Sequence, residues 1–322
     1  MREDKNTTLA LVQQFTLGSR ITETEAIKLE SALEQDPADM HTRAKLIGFY
    51  AVDRKGLASE LLKHQIWIIE HCPEHELATL AVSRAARLRR FAPEAYREMK
   101  QKWLEKLELR QSPVKAYINA ANFFILNEDE QYAETALKKA LLREPENTTI
   151  LDKLSKVLET ISRKANGNRD EEAFLLSTRA FESEADPFKR FSMLIRLPLL
   201  ALRLNNLAVA ESTAYELIEL ASQNKDDSAN YGFAIHMAHT VLGILDCRAN
   251  KLESAIDHLH KSIRVPECFA LITAGPNLEL AENLLEAGYS NEVLKFIDRC
   301  EQIDFDTVHK VEIRMLRDLI VD

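Results

Sequence analysis

Two histidines and two glutamates in the C-terminal half of the sequence have the spacing of an acid–base or metal site. His236 and His239 lie three residues apart on one face of a predicted helix, and Glu279 and Glu282 repeat this spacing further along. Imidazole and carboxylate groups transfer protons and bind transition metals. If the two helices stack, the four side chains could form such a site. The alternative is that the histidines hydrogen-bond within a core and that Gly-Pro-Asn at 275–277 starts a helix.

A second group of possible metal ligands is the sequence HCPEH at 71–75. Two histidines four residues apart can bind a metal on a helix. Here Pro73 is expected to end the helix between them, so we predict neither a metal nor a cofactor. The sequence also lacks the P-loop, GxGxxG, GxSxG and HExxH motifs. The chain is therefore predicted not to be an enzyme.

Composition favours a helical protein. Only 8 glycines and 9 prolines occur in 322 residues, and 46% of residues are hydrophobic. The net charge of −9 argues against general nucleic-acid binding, and we predict no nucleic-acid partner. The most apolar stretch, 191–204, is too short to cross a membrane and contains Pro198, so it is predicted to be a buried helix. With no secretory signal evident and four widely spaced cysteines expected to be reduced, a cytoplasmic location is predicted.

The elements that would position these side chains are best seen in the segment 114–147, VKAYINAANFFILNEDEQYAETALKKALLREPEN. Tyr117, Ala121 and Phe124 recur at helical spacing before a polar turn, and Ala133 follows in a second helical pattern. Small residues at Ala121 and Ala133 would let two helix backbones approach closely. This segment resembles the tetratricopeptide repeat, a helix–turn–helix unit of about 34 residues.

Weaker copies of the unit occur along most of the chain. In the segment 239–266, Gly243 and Ala255 have the same separation as Ala121 and Ala133. The resemblance implies an all-α, right-handed α-α superhelix of seven to eight helix pairs, with a final helix near 306–320. The combination AIHxAxTVLG and GPNLxLAxxLL is also similar to an uncharacterised group of bacterial tetratricopeptide proteins, which implies no known activity. An irregular α-bundle is the alternative.

The polar turn at 163–170 is longer than a repeat turn. We therefore predict an N-terminal block at 1–166 and a C-terminal block at 167–322 that continues the same solenoid. A second polar break lies at 223–229.

Solenoids of this type present the first helix of each pair on the concave face. The register then places several basic and amide side chains in the groove: Arg84, Arg87, Lys115, Asn119, Asn122, Lys153 and Lys156. Some tetratricopeptide proteins bind a C-terminal carboxylate with such residues on successive helices, although three of these lie on one helix. We predict that these side chains bind a protein or peptide. Basic side chains can also accommodate a partner that carries acidic groups. An ordinary solvated face is the alternative.

Charge is unevenly distributed along the chain. The segment 84–110 has nine basic and four acidic residues, a net charge of +5, whereas 276–322 has five and eleven, a net charge of −6. Surfaces of opposite charge permit head-to-tail homo-oligomers. The alternative is that these are ordinary surface charges without such a role.

The leading prediction is a non-enzymatic scaffold without a membrane partner. The alternatives are an enzyme or metal site that uses His236, His239, Glu279 and Glu282, and a regulator whose superhelix pitch responds to a ligand or peptide.

Overall fold

The computed structural model describes residues 2–52, 58–78, 88–109, 112–165, 169–223 and 229–321. The chain divides into two compact units, unit 1 (Met1–Lys164) and unit 2 (Ala165–Asp322). The predicted repeat blocks 1–166 and 167–322 stay a prediction, because compactness alone does not test a repeat. Part of the predicted hinge at 163–170, and most of the break at 223–229, lie outside the described residues.

Unit 1 consists of helices in its described part. They are α1 (Arg2–Gly18), α2 (Glu23–Gln35), α3 (Met40–Tyr50), α4 (Ala58–His71), α5 (Leu88–Phe91), α6 (Pro93–Glu108), α7 (Val114–Leu126), α8 (Glu130–Arg143) and α9 (Thr148–Lys164).

Local signals in the sequence set several of these boundaries. Thr22 and Glu25 form a reciprocal capping box at the start of α2. Asp39 accepts hydrogen bonds from the first backbone N–H groups of α3, and Asn147 does the same for α9. Pro93 occupies the first turn of α6, where no backbone donor is required.

Small residues bring the first helices of unit 1 together. A Cβ built on Gly18 would lie 1.9 Å from the carbonyl oxygen of Lys45, and one on Gly48 would lie 2.0 Å from that of Phe15. Only glycine permits this crossing of α1 and α3, since any Cβ would overlap backbone atoms.

The predicted seam between α7 and α8 is present. Ala121, Phe124 and Ala133 are fully buried, and α7 and α8 pack against each other. The chain then turns at Pro145 and enters α9, which contacts α8.

Unit 2 has the same helical character in its described part. Its helices are α10 (Asp170–Ser183), α11 (Pro187–Leu194), α12 (Leu197–Arg203), α13 (Leu207–Gln223), α14 (Tyr231–Arg248), α15 (Leu252–Ile263), α16 (Phe269–Ala274), α17 (Glu279–Glu286), α18 (Ser290–Cys300) and α19 (Thr307–Val321). A Cβ on Gly243 of α14 would meet the Leu280 side chain at 2.3 Å, so this glycine lets α17 pack closely.

The described residues form no strand, and successive helices pack against each other within each unit. The predicted fold class, an all-α superhelical repeat fold, is confirmed. The stretch 191–204, predicted to be a buried helix, is buried and helical but forms two helices, since Ile195 and Arg196 separate α11 from α12. Pro198, which cannot donate to a preceding turn, lies in the first turn of α12 and starts a new helix.

Candidate partner-binding surface

The predicted binding residues of α7 and α9 have different environments. Asn122 on α7 and Lys153 on α9 are half-buried and in contact: the Lys153 ammonium donates a hydrogen bond of 3.0 Å to Asn122 Oδ1. These two side chains therefore join α7 to α9.

Lys153 is a half-buried cation paired with a neutral group. Among the described residues, no carboxylate lies within 4.0 Å of its Nζ atom, and Asn122 is its one hydrogen-bond partner. Burial lowers the pKa of Lys153, and the charge of Lys156 lowers it further, while Asp152 opposes the shift. Transfer of an ammonium from water costs free energy that a neutral amide compensates only in part.

Asn122 presents hydrogen-bond donors. Its carboxamide oxygen accepts from Lys153, and its NH2 group has no hydrogen-bond partner among the described residues. Lys153 has two further N–H groups, because an ammonium carries three. The pair is therefore a set of donors that suits a carbonyl or carboxylate oxygen.

The other two lysines of this surface are exposed and ion-paired. Lys115 pairs with Glu76, and Lys156 donates to Asp152 one helical turn away at 2.7 Å. The lysine ends of both pairs are exposed, whereas the Glu76 and Asp152 carboxylates are mostly buried.

Asn119 lies in the interior of unit 1. Its amide nitrogen donates to the carbonyl oxygens of Pro73 at 2.8 Å and His75 at 3.4 Å, and only 2% of the residue is exposed. It joins α7 to the turn after α4. Arg84 and Arg87 lie outside the described residues.

His236 does not lie in an open site. It is fully buried, its Nδ1–H donates to the carbonyl of Ser262 at 3.0 Å, and its Nε2 accepts from the Asn277 N–H at 2.8 Å. These partners require a neutral ring, because a carbonyl only accepts and a backbone N–H only donates. Burial lowers the pKa of His236 to about 4. His236 thus has the arrangement of the alternative hypothesis: it hydrogen-bonds within the core and fixes the backbone at Asn277, just before α17.

His239 points to another histidine. Its Nδ1 lies 2.9 Å from Nδ1 of His258, so one ring donates and the other accepts. Burial, followed by the charge of His258, lowers the pKa of His239 to about 4. Within the described part of the chain, no hydrogen bond or ion pair joins His236 or His239 to Glu279 or Glu282. The hypothetical four-residue site is therefore not assembled.

The HCPEH segment has local partners. His71 stacks on Trp67 with ring centroids 4.4 Å apart, and His75 accepts a hydrogen bond from the backbone of Leu77. In the described residues, no group of three or more His, Cys, Asp or Glu side chains could hold a metal ion. The four cysteines are free thiols.

One buried polar network was not predicted. The Arg43 guanidinium lies 3.5 Å from the centre of the Trp67 ring and donates to His64 Nδ1 at 3.2 Å and to the Pro37 carbonyl at 2.5 Å. His64 in turn donates to Glu30 at 2.9 Å. Burial lowers the pKa of Arg43 to about 10. No sequence motif marks this network, since its members are 21 and 34 residues apart.

No protein-family model matches the chain, and no curated protein matches it. Similarity to a bacterial tetratricopeptide group thus stays a prediction. Similar solved structures include the human IFIT1 dimer with m7Gppp-AAAA, at 17% identity and a TM-score of 0.47, covering 92% of this chain and 72% of that one. A monomeric IFIT1 mutant with Gppp-AAAA is similar at 18% identity and a TM-score of 0.45, covering 87% of this chain and 67% of that one.

The prediction that excluded nucleic-acid partners is contradicted, because these similar structures contain capped oligonucleotides. Net charge was an unsuitable criterion: it averages over the whole chain, whereas binding depends on a local patch. No helix in the described residues is long and apolar enough to cross a membrane.

Proposed function

We propose that this chain is a non-enzymatic helical scaffold that binds a protein or peptide through the surface of α7 and α9. The observation that carries the proposal is the half-buried Lys153 ammonium, which has Asn122 as its partner and no carboxylate near it in the described structure. A cation in this state is stabilised when a ligand supplies the missing anion or carbonyl.

The chemistry of the surface favours acceptor groups on the ligand. Asn122 offers its NH2 group and Lys153 its remaining N–H groups, so together they can bind a backbone carbonyl or an acidic side chain. The charge of Lys156 acts on Lys153 from the same helix, and Lys115 lies on the same helix as Asn122, each lysine being ion-paired with a carboxylate of unit 1. In this proposal Asn119 has a positioning function, because it holds α7 against residues 73–75.

The test compares partners captured from a lysate of the native host by wild-type protein and by the double variant Asn122→Ala/Lys153→Met. Hydrogen bonds to charged groups contribute about 1.5–3 kcal/mol, so we expect at least about tenfold less of the specific partner with the variant. Lys63→Met is the matched control, since Lys63 is an exposed lysine of unit 1 paired with Glu60. It should capture as much partner as wild type.

Nucleic acid is measured in the same experiment. The eluates are compared with and without nuclease, and bound RNA is quantified directly. Capture of protein that resists nuclease and needs Asn122 and Lys153 supports the proposal. Equal capture by wild type and double variant, or bound RNA with no specific protein, contradicts it.

A further inference from the structure

A groove with apolar walls and acidic edges lies between α17 and α19 of unit 2. It has a volume of about 420 Å³ and is lined by Leu278, Glu279, Glu282, Glu312, Met315 and Leu319, among others. Met315 is 63% exposed and Leu319 is 74% exposed, although both are large apolar residues. Exposed apolar side chains bordered by polar residues indicate an interaction site.

Two carboxylates of the groove have no partner in the part of the chain that the structure describes. Neither the Glu279 nor the Glu282 side chain makes a hydrogen bond or ion pair with any described residue, whereas Glu312 lies 3.1 Å from His309 Nδ1. The groove therefore fits a partner group that combines a cation with a large apolar or aromatic side chain.

The chain itself carries such a group on α5 of unit 1. Phe91 is 72% exposed, and the guanidinium of the exposed Arg90 lies 5.5 Å from the centre of its ring. An exposed aromatic ring beside a cation is typical of residues that dominate protein interfaces.

Arg90 also differs from its basic neighbours. The other basic side chains between 88 and 109 have partners within unit 1: Arg89 with the Glu128 carbonyl, Arg97 with Glu94, Lys100 with Asp129, Lys102 with Glu70, and Lys106 with the Glu70 carbonyl. No hydrogen bond or ion pair with a described residue engages Arg90. It is thus the cation of this segment that is available to a second molecule.

We propose that Arg90 and Phe91 of one copy bind in the groove of a second copy, with Phe91 against Met315 and Leu319 and Arg90 beside Glu279 and Glu282. The opposite net charges of 84–110 and 276–322 favour this pairing over contact between two identical surfaces. The contact is heterologous, so every added copy presents another groove and another Arg90–Phe91 pair, and association proceeds by adding copies head to tail. The surface is small, so the association is weak and salt-dependent. It is independent of the surface on α7 and α9.

Sedimentation velocity over a concentration series up to about 1 mM tests the proposal. For wild type we expect the weight-average sedimentation coefficient to rise with protein concentration and this rise to diminish in high salt. Arg90→Glu and Glu279→Lys/Glu282→Lys should each reduce the association constant at least about tenfold, because each places like charges together. All three positions are on the surface, and circular dichroism confirms that the variants fold.

Mixing experiments identify the pairing. Arg90→Glu retains an intact groove, and Glu279→Lys/Glu282→Lys retains an intact Arg90–Phe91 pair. The glutamate in place of Arg90 is in turn complementary to the two lysines of the other variant's groove, so an equimolar mixture should regain association in which the two variants alternate, although neither associates alone. A chain carrying all three reversals should associate by itself. A wild-type protein that is monomeric throughout the concentration series overturns the proposal. So does an Arg90→Glu variant that associates like wild type, which would indicate pairing of identical surfaces.

Discussion

The Lys153 ammonium lies 3.0 Å from the carboxamide oxygen of Asn122, and this hydrogen bond connects α7 to α9. A neutral amide thus holds a half-buried charge at the surface proposed to bind a partner. The free energy of unfolding of unit 1 therefore depends on pH, because burial lowers the pKa of Lys153 from its value in an unfolded chain.

Lys153→Met should leave unit 1 as stable as wild type at neutral pH, or more stable by about 1 kcal/mol, since it removes a charge that burial disfavours. The unfolded chain binds more protons than the folded chain between the lowered pKa and the normal value near 10.4, so wild-type stability should rise with pH in that window. The variant should lack this rise. Urea titrations at neutral pH and about pH 10 measure it by tryptophan fluorescence, because Trp67 and Trp103 both lie in unit 1. A variant that loses stability at neutral pH contradicts this account of Lys153.

Asn119→Ala should destabilise unit 1 by about 1–3 kcal/mol, because it removes the donor for the carbonyls of Pro73 and His75. Asn122→Ala is the matched control on the same helix. It should lower the free energy of unfolding less than Asn119→Ala does, since water can hydrate the Lys153 ammonium when the Asn122 carboxamide is removed. The two variants are compared by urea denaturation with fluorescence detection. Equal losses would mean that the buried amide has no special importance.

His236→Leu should destabilise unit 2 by about 2 kcal/mol, because the Ser262 carbonyl and the Asn277 N–H both lose a buried partner. The folded pKa of about 4 lies below the unfolded value near 6.5. The stability from neutral His236 is therefore complete above about pH 6.5 and is lost as the pH falls towards about 4.

The His236→Leu variant should show a shallower acid loss than wild type. Circular dichroism at acid and neutral pH measures this, since unit 2 contains no tryptophan. His239→Leu serves as comparison and should leave the Ser262 and Asn277 bonds intact. An identical acid profile for wild type and His236→Leu would contradict the neutral buried ring.

Gly48→Ala should destabilise unit 1 by about 1–3 kcal/mol, since its Cβ would lie 2.0 Å from the Phe15 carbonyl oxygen and force α1 away from α3. Gly288→Ala is the control in unit 2. The backbone φ of Gly288 is 89°, and no atom lies within 4 Å of the methyl group that alanine would add. The substitution should therefore lower the free energy of unfolding by about 1 kcal/mol through backbone strain alone. Thermal unfolding followed by both fluorescence and circular dichroism separates the effects. A tolerated Gly48→Ala would contradict the close crossing of α1 and α3.

The sequence by itself determined the helical class of the chain and the seam between α7 and α8. Periodicity placed Ala121 opposite Ala133 and identified the final helix, because neighbours along a helix are fixed by the repeat of 3.6 residues. Pro198 was recognised as an interruption in the sequence, but its consequence, two separate helices, emerged only in the fold.

Tertiary structure decided which polar side chains are available to a partner. Asn119 and Asn122 lie on the same helix, yet the acceptors of Asn119 are 44 and 46 residues away and take it into the interior. His236 likewise obtains its partners from residues 26 and 41 positions away. Local spacing predicts which face of a helix a side chain occupies, but hydrogen-bond partners from distant segments depend on how the helices stack.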